Sequence, residues 1–197
     1  MSRIIAGAAG GNPLKSVPGD ATRPTTDRVK EALFSRLESW NIIAGARVLD
    51  LFAGSGALGI EMASRGARQV TLVEKAPKAV AVCQQNAALI NKVLKSDAVS
   101  VHRGSVDSVL DLYFDEATDT PRKTFDVILM DPPYPLTDAE LETTLGKAAR
   151  ILAEDATLIV ERSSRSPQPN WPASVELIAS KKYGETQLWF AEPIEFN

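Results

Sequence analysis

Residues 47–59, Arg47-Val48-Leu49-Asp50-Leu51-Phe52-Ala53-Gly54-Ser55-Gly56-Ala57-Leu58-Gly59 (RVLDLFAGSGALG), run from an apolar stretch directly into three glycines. The apolar part has the length and composition of a buried strand, and Gly54, Gly56 and Gly59 then keep the spacing G-x-G-x-x-G at the passage from strand to helix. Glu74 stands at the end of the next apolar run, QVTLVE at 69–74. Glycines at this spacing let a ligand approach the backbone, and an acid about 20 residues on can accept ribose hydroxyls. The spacing predicts an adenosine-cofactor loop but does not separate NAD from other adenosine cofactors.

Working outward, apolar runs alternate with helical patterns from Arg47 onward, which predicts an α/β fold: a mostly parallel sheet with helices on both faces. Strands are expected at 47–52, 69–74, 98–102 (AVSVH), 125–130 (FDVILM) and 156–161 (TLIVE). Pro77 opens a helix over 77–91 that sets Val80, Cys83, Ala87 and Ile90 on one face. Two later runs, 175–180 and 186–191, are joined through Lys181-Lys182-Tyr183-Gly184 and read as a C-terminal antiparallel hairpin. Residues 111–123, acidic and proline-containing, read as an exposed loop. At the front, residues 3–17 read as two short strands around Gly10-Gly11-Asn12-Pro13, a small β-hairpin extension. Pro24 then introduces a helix with Val29, Leu33, Leu37 and Trp40 as its apolar stripe. The expected division is an extension over 1–21, packed independently of the catalytic sheet, and a catalytic domain over 22–197.

Composition narrows the function. At 197 residues and 44% hydrophobic, the chain has the size of one globular domain with a small appendage. One cysteine, Cys83, excludes an internal disulfide, and one histidine, His102, leaves no Cys/His set for zinc. Cys83 is expected in the core and His102 at a strand edge. The N-terminus lacks a long apolar run, so export and membrane insertion are not expected, and a cytoplasmic monomer is. Net charge is −3, yet residues 1–47 carry seven Lys/Arg against four Asp/Glu. That basic surplus makes Arg3, Lys15, Arg23 and Arg28 candidates for gripping an RNA backbone, with Lys181, Lys182 and Tyr183 as further candidates for the same face.

The stretch FDVILMDPPY, Phe125 to Tyr134, ends a strand with an acid, two prolines and a tyrosine. Pro132 and Pro133 donate no hydrogen bond and stiffen the chain, so the Asp131 carboxylate and the neighbouring carbonyls are left to hold something else. Acceptors of this kind suit an amine and have no task in hydride transfer. Asp50, before the first glycine, can face an ammonium but would repel a pyrophosphate. Together these favour S-adenosylmethionine over a dinucleotide. Asp126 reads as a strand-edge acid without a role.

VLDLFAGSGALGIE and DPPY resemble the class I S-adenosylmethionine methyltransferases that act on exocyclic amines of bases. With RIIAG and TRPTTDRVKEALF at the front and YGETQL at 183–188, the chain is similar over nearly its whole length to the 16S ribosomal RNA (guanine(966)-N(2))-methyltransferases, the ribosomal small-subunit methyltransferase D family. The resemblance implies a Rossmann-like, seven-stranded fold. It implies a cofactor site of Asp50, Phe52, Ala53, Gly54, Ser55, Gly56, Glu74, Lys75, Ser105, Val106 and Asp131. Glu74 would meet the ribose and the glycine loop the methionine part. Ser105 stands where many relatives carry Asp or Asn against the adenine, and it offers a weaker partner.

An exocyclic amine is a poor nucleophile because its lone pair is delocalised into the ring. Asp131 and the Pro132 carbonyl can accept its two N–H bonds and aim the lone pair at the methyl, Pro133 stiffens the turn, and Tyr134 can stack on the base. This reading requires an unstacked nucleotide. The expected activity is methyl transfer to guanine N2 of 16S ribosomal RNA, free or within the small subunit or its assembly intermediate, without a metal. The alternatives are an adenine-N6 methyltransferase on DNA or RNA, a dehydrogenase, and a noncatalytic RNA-binding module.

Overall fold

The computed structural model describes residues 2–19 and 27–194. In chain order the elements are β1 (Ser2–Arg3), β2 (Pro13–Leu14), α1 (Asp27–Ser39), β3 (Arg47–Leu51), α2 (Ala57–Ser64), β4 (Gln69–Glu74), α3 (Pro77–Leu94) and β5 (Val99–Arg103). Then come α4 (Val106–Leu112), β6 (Phe114–Asp115), β7 (Thr120–Pro121), β8 (Phe125–Met130), α5 (Asp138–Ala149), β9 (Leu152–Ser163), β10 (Val175–Tyr183) and β11 (Thr186–Pro193). Seven strands form one sheet in the order β10-β11-β9-β8-β3-β4-β5. The five strands from β9 to β5 are parallel, and β11 runs antiparallel to both β9 and β10.

Alternation along the strands divides the core in two. Val48 of β3 and Val127 and Leu129 of β8 join residues of α1, α2 and α3 on one face. Leu49 and Leu51 of β3 and Ile128 and Met130 of β8 pack with α4 and α5 on the other. Helices therefore cover both faces, as expected. Val80, Cys83, Ala87 and Ile90 are all buried along α3, and Cys83 is a core residue. Among the described residues no helix is long and apolar enough to cross a membrane.

The structure departs from expectation in three places. First, residues 111–123 are not a plain loop: α4 extends to Leu112, and β6 and β7 pair as a small hairpin because Phe114 buries its ring in the second cluster. Second, Asp126 has a partner, accepting from the Arg47 guanidinium at 2.7 Å and from the Arg47 N–H at 2.7 Å. This pair clips β3 to β8 at their starts and holds the Asp126 carboxyl below the usual carboxylate range, mainly through the Arg47 hydrogen bond.

Third, the N-terminal extension shares a core with the sheet instead of packing independently. Ile4, Ala9 and Leu14 are buried in the first cluster. The Glu61 carboxylate of α2, itself buried, accepts from the N–H groups of Ile5 at 2.7 Å and Ala6 at 3.0 Å and from Arg65 at 2.8 Å. Ser64 Oγ accepts from the Ala9 N–H and donates to the Ala6 carbonyl. Each buried polar group at this seam finds a partner across it, as burial requires.

Candidate active site

Strand order reverses at β3: the chain continues from β3 to β4 and β5 on one side, then crosses to β8 on the other. Ligands in open α/β sheets bind beyond the carboxyl ends of the strands at such a switch point. Here the two loops emerging at it are the glycine loop after β3 and Asp131-Pro132-Pro133-Tyr134 after β8.

The glycine loop is held by its neighbours on all sides. The Ala53 N–H donates to the Val73 carbonyl of β4 at 2.9 Å, and Gly56 N–H to the Ala53 carbonyl at 2.7 Å. Phe52 itself lies at φ 62°, a left-handed conformation costly for a bulky residue, with its ring packed on the second cluster. The Ser55 carbonyl accepts from Asn86 Nδ2 of α3 at 2.9 Å. Below the loop, Asp50 Oδ2 accepts from the Gly59 N–H at 2.9 Å. Gly59 permits this approach of helix to strand, because a Cβ there would collide with Leu72 and Val70.

Glu74 is the hub at the end of β4. Its Oε2 accepts from the Gly54 N–H at 2.9 Å, and its Oε1 accepts from the N–H groups of Lys75 and Ala76, both at 2.8 Å. The Lys75 side chain is exposed. Ser105 is the N-cap of α4: its Oγ accepts from the Ser108 N–H at 3.2 Å and lies 2.9 Å from Ser108 Oγ. The hydroxyl expected near an adenine is thus engaged in capping, and the Val106 side chain is buried in the second cluster.

After β8 the chain makes a tight turn in which the Leu136 N–H donates to the Pro133 carbonyl at 2.9 Å. Thr137 and Glu140 form a reciprocal capping box that starts α5. Arg162 of β9 reaches over to the Leu136 carbonyl at 3.3 Å and to Asp138 at 3.2 Å. Among the described residues no backbone N–H is bonded to the Pro132 carbonyl.

Asp131, Pro132 and Tyr134 line a cleft of about 680 Å³ together with Arg28 of α1 and Tyr183 of the β10–β11 hairpin. Tyr134 is 75% exposed at its mouth. The structure therefore gathers Arg28, Tyr183 and the Asp131–Tyr134 turn, which lie far apart in sequence. It does not bring Arg3 or Lys15 there. Arg3 pairs with Asp27 at 3.2 Å, and the Lys15 main chain is bonded to Asn86 while its Nζ donates to Gln85 at 2.6 Å. Arg23 lies outside the described residues. Glu161, Arg162 and Lys182 also line the cleft. Sequence reading passed over Glu161 and Arg162, whose one signal was two charges closing the apolar run TLIV.

Comparison with known proteins agrees with this architecture. A family profile described as conserved hypothetical protein 95 matches residues 2–192. Ribosomal RNA small subunit methyltransferase D of Escherichia coli K12 is 33% identical over 187 residues, 93% of this chain and 85% of that protein. The protein of the same name from Haemophilus influenzae is 33% identical over 86% of this chain and 84% of its own length. The solved structure of a hypothetical protein from Thermus thermophilus is 30% identical with a TM-score of 0.79, covering 98% of this chain and 99% of that one. The chain belongs to the conserved hypothetical protein 95 family and is similar over most of its length to proteins named ribosomal RNA small subunit methyltransferase D.

Proposed function

We propose that the chain transfers a methyl group from S-adenosylmethionine to the exocyclic N2 amine of a guanine in 16S ribosomal RNA of the small subunit. The observation that carries this reading is the meeting of the glycine loop and the Asp131–Tyr134 turn at one switch point, in a chain whose relatives bear the name ribosomal RNA methyltransferase.

The residues present fit that cofactor. At Gly54, φ 57°, a Cβ would meet no atom within 4 Å, so the loop backbone is open to a ligand. Phe52, Ala53, Ser55 and Gly56 complete the cradle, Asp50 lies beneath it with a carboxylate for an ammonium, and Glu74 stands at the strand end for ribose hydroxyls. Lys75 and the backbone around Ser105 and Val106 would border its adenine. Bound there, S-adenosylmethionine supplies an electrophilic methyl group.

The protein's own contribution is positioning. Asp131 and the Pro132 carbonyl accept the two N–H bonds of the amine, which draws the nitrogen toward a tetrahedral shape and aims its lone pair. The proton shed after transfer can pass to Asp131. Tyr134 stacks on the unstacked base, and the turn fixed by Pro133 and Leu136 keeps these acceptors in place. Arg28, Lys182 and Tyr183 face the RNA.

The test is methylation of small-subunit ribosomal RNA taken from cells lacking the protein, using a labelled methyl donor, followed by mapping of the labelled nucleotide. Label on N2 of a single guanine is expected. Label on adenine, or RNA left unlabelled while cofactor binds, would overturn the proposal.

A further inference from the structure

We infer that Glu161 selects guanine by accepting its N1–H, beside the Asp131 that holds the amine. This inference rests on the methyl-transfer reading above and names what makes the site choose its base.

The placement follows from sheet register. The last paired residues of β8 and β9 are Met130 and Val160, so the next residues, Asp131 and Glu161, leave the parallel pair side by side. Both line the same cleft. Neighbouring strands lie about 4.8 Å apart, so the two carboxylates present adjacent acceptors to whatever enters. Each already holds an interaction within the protein, and a carboxylate offers about four lone-pair sites in all.

The chemistry of the bases decides which one matches. With an exocyclic amine at Asp131, the next ring atom on the Watson–Crick edge is a donor, N1–H, in guanine. In adenine it is N1 and in cytosine N3, each bearing a lone pair and no hydrogen. An ionised carboxylate accepts but cannot donate. It pairs with guanine N1–H and faces adenine N1 with lone pair against lone pair. Guanine O6, the next group along the edge, requires a donor, and the cations Arg28 and Lys182 line the same cleft. Acceptor, acceptor and donor in the protein thus meet donor, donor and acceptor in the base. A site that pairs two such groups discriminates by roughly 10- to 100-fold.

The probe is 16S RNA assembled by splinted ligation with either guanine or 2,6-diaminopurine at the mapped target nucleotide. The analogue keeps the C2 amine and the stacking surface but carries a lone pair at N1 and an amine in place of O6. The wild-type protein is expected to methylate guanine roughly 10- to 100-fold faster than diaminopurine. In Glu161→Gln, whose amide can both accept and donate, the N1 part of the preference is lost and the ratio should fall at least several-fold, what remains being the O6 contact of the cations, with S-adenosylmethionine affinity by calorimetry as the control for folding. Equal rates for the two bases with the wild-type protein would overturn the inference without any variant, as would a Glu161→Gln protein that binds cofactor and keeps the wild-type ratio. If the label lands on adenine instead, the guanine reading itself fails along with this one, and the two failures are told apart by the identity of the labelled base.

Discussion

Asp50 lies beneath the glycine loop with 1% of its surface exposed, and burial pushes its carboxyl up to about 7. The Gly59 N–H pulls the other way, and the negative charges of Asp131 and Glu74 add to the rise. In the unfolded chain this group ionises at its ordinary value of 3.8. Folding stability from Asp50 is therefore fully present below that value, declines as pH rises toward about 7, and is level above it. A cationic ammonium placed by the cofactor favours the ionised form. Cofactor affinity should accordingly rise between about pH 5 and pH 7, where an α-amino group is still protonated. Calorimetry near pH 6 in two buffers of different ionisation enthalpy should register release of a proton on binding, and Asp50→Asn should abolish that release. At Asp131 the effect is on rate: Asp131→Ala should lower single-turnover methylation by roughly 100-fold or more while cofactor affinity stays within several-fold, because the lost contact is made as the amine reacts.

At the scale of elements, the turn between β8 and α5 is held by a residue of β9. Arg162 bonds the Leu136 carbonyl and Asp138 through a guanidinium whose side chain is 10% exposed. Lysine keeps the charge but lacks the planar fork that spans both partners. Arg162→Lys should therefore slow single-turnover methylation by roughly 10- to 100-fold through misplacement of the turn. Affinities for cofactor and RNA should stay within a few-fold, and a parallel loss of RNA affinity would instead make Arg162 an RNA contact. The turn itself was legible, since an acid and two prolines ending an apolar run have few other uses, but its clamp was not. Arg162 is one charge among several after a strand, and only the sheet order brings it to Leu136. The same limit explains the front of the chain. Its basic surplus was legible, yet Arg3 is taken up by Asp27 and Lys15 by Gln85, partners that tertiary packing supplies. Residues 111–123 misled because acidic residues outnumber the two rings, Tyr113 and Phe114, that anchor the segment.

For the molecule as a whole, the seam between the N-terminal segment and α2 and α3 makes the extension part of the cofactor site's support. Asn86 bonds both the Lys15 main chain and the Ser55 carbonyl of the glycine loop. Deleting residues 1–15 removes the Ile5 and Ala6 N–H donors to Glu61, leaving it Arg65, and uncovers Asn86. The truncated chain should melt at lower temperature and bind S-adenosylmethionine at least several-fold more weakly, by thermal denaturation and calorimetry. Native affinity and melting temperature would show that the segment folds apart. Strand order bears also on how the chain is made. β3 is the first strand of the large sheet to be synthesised, yet its second partner, β8, ends at Met130. Translation at about 5–20 residues per second leaves β3 with one open apolar edge for on the order of several seconds, and exposed edges recruit other chains. The nascent chain is thus most prone to aggregate after β3 and before β8 has been made, and pausing the ribosome between β4 and β8 should reduce soluble yield without altering the stability of the finished fold.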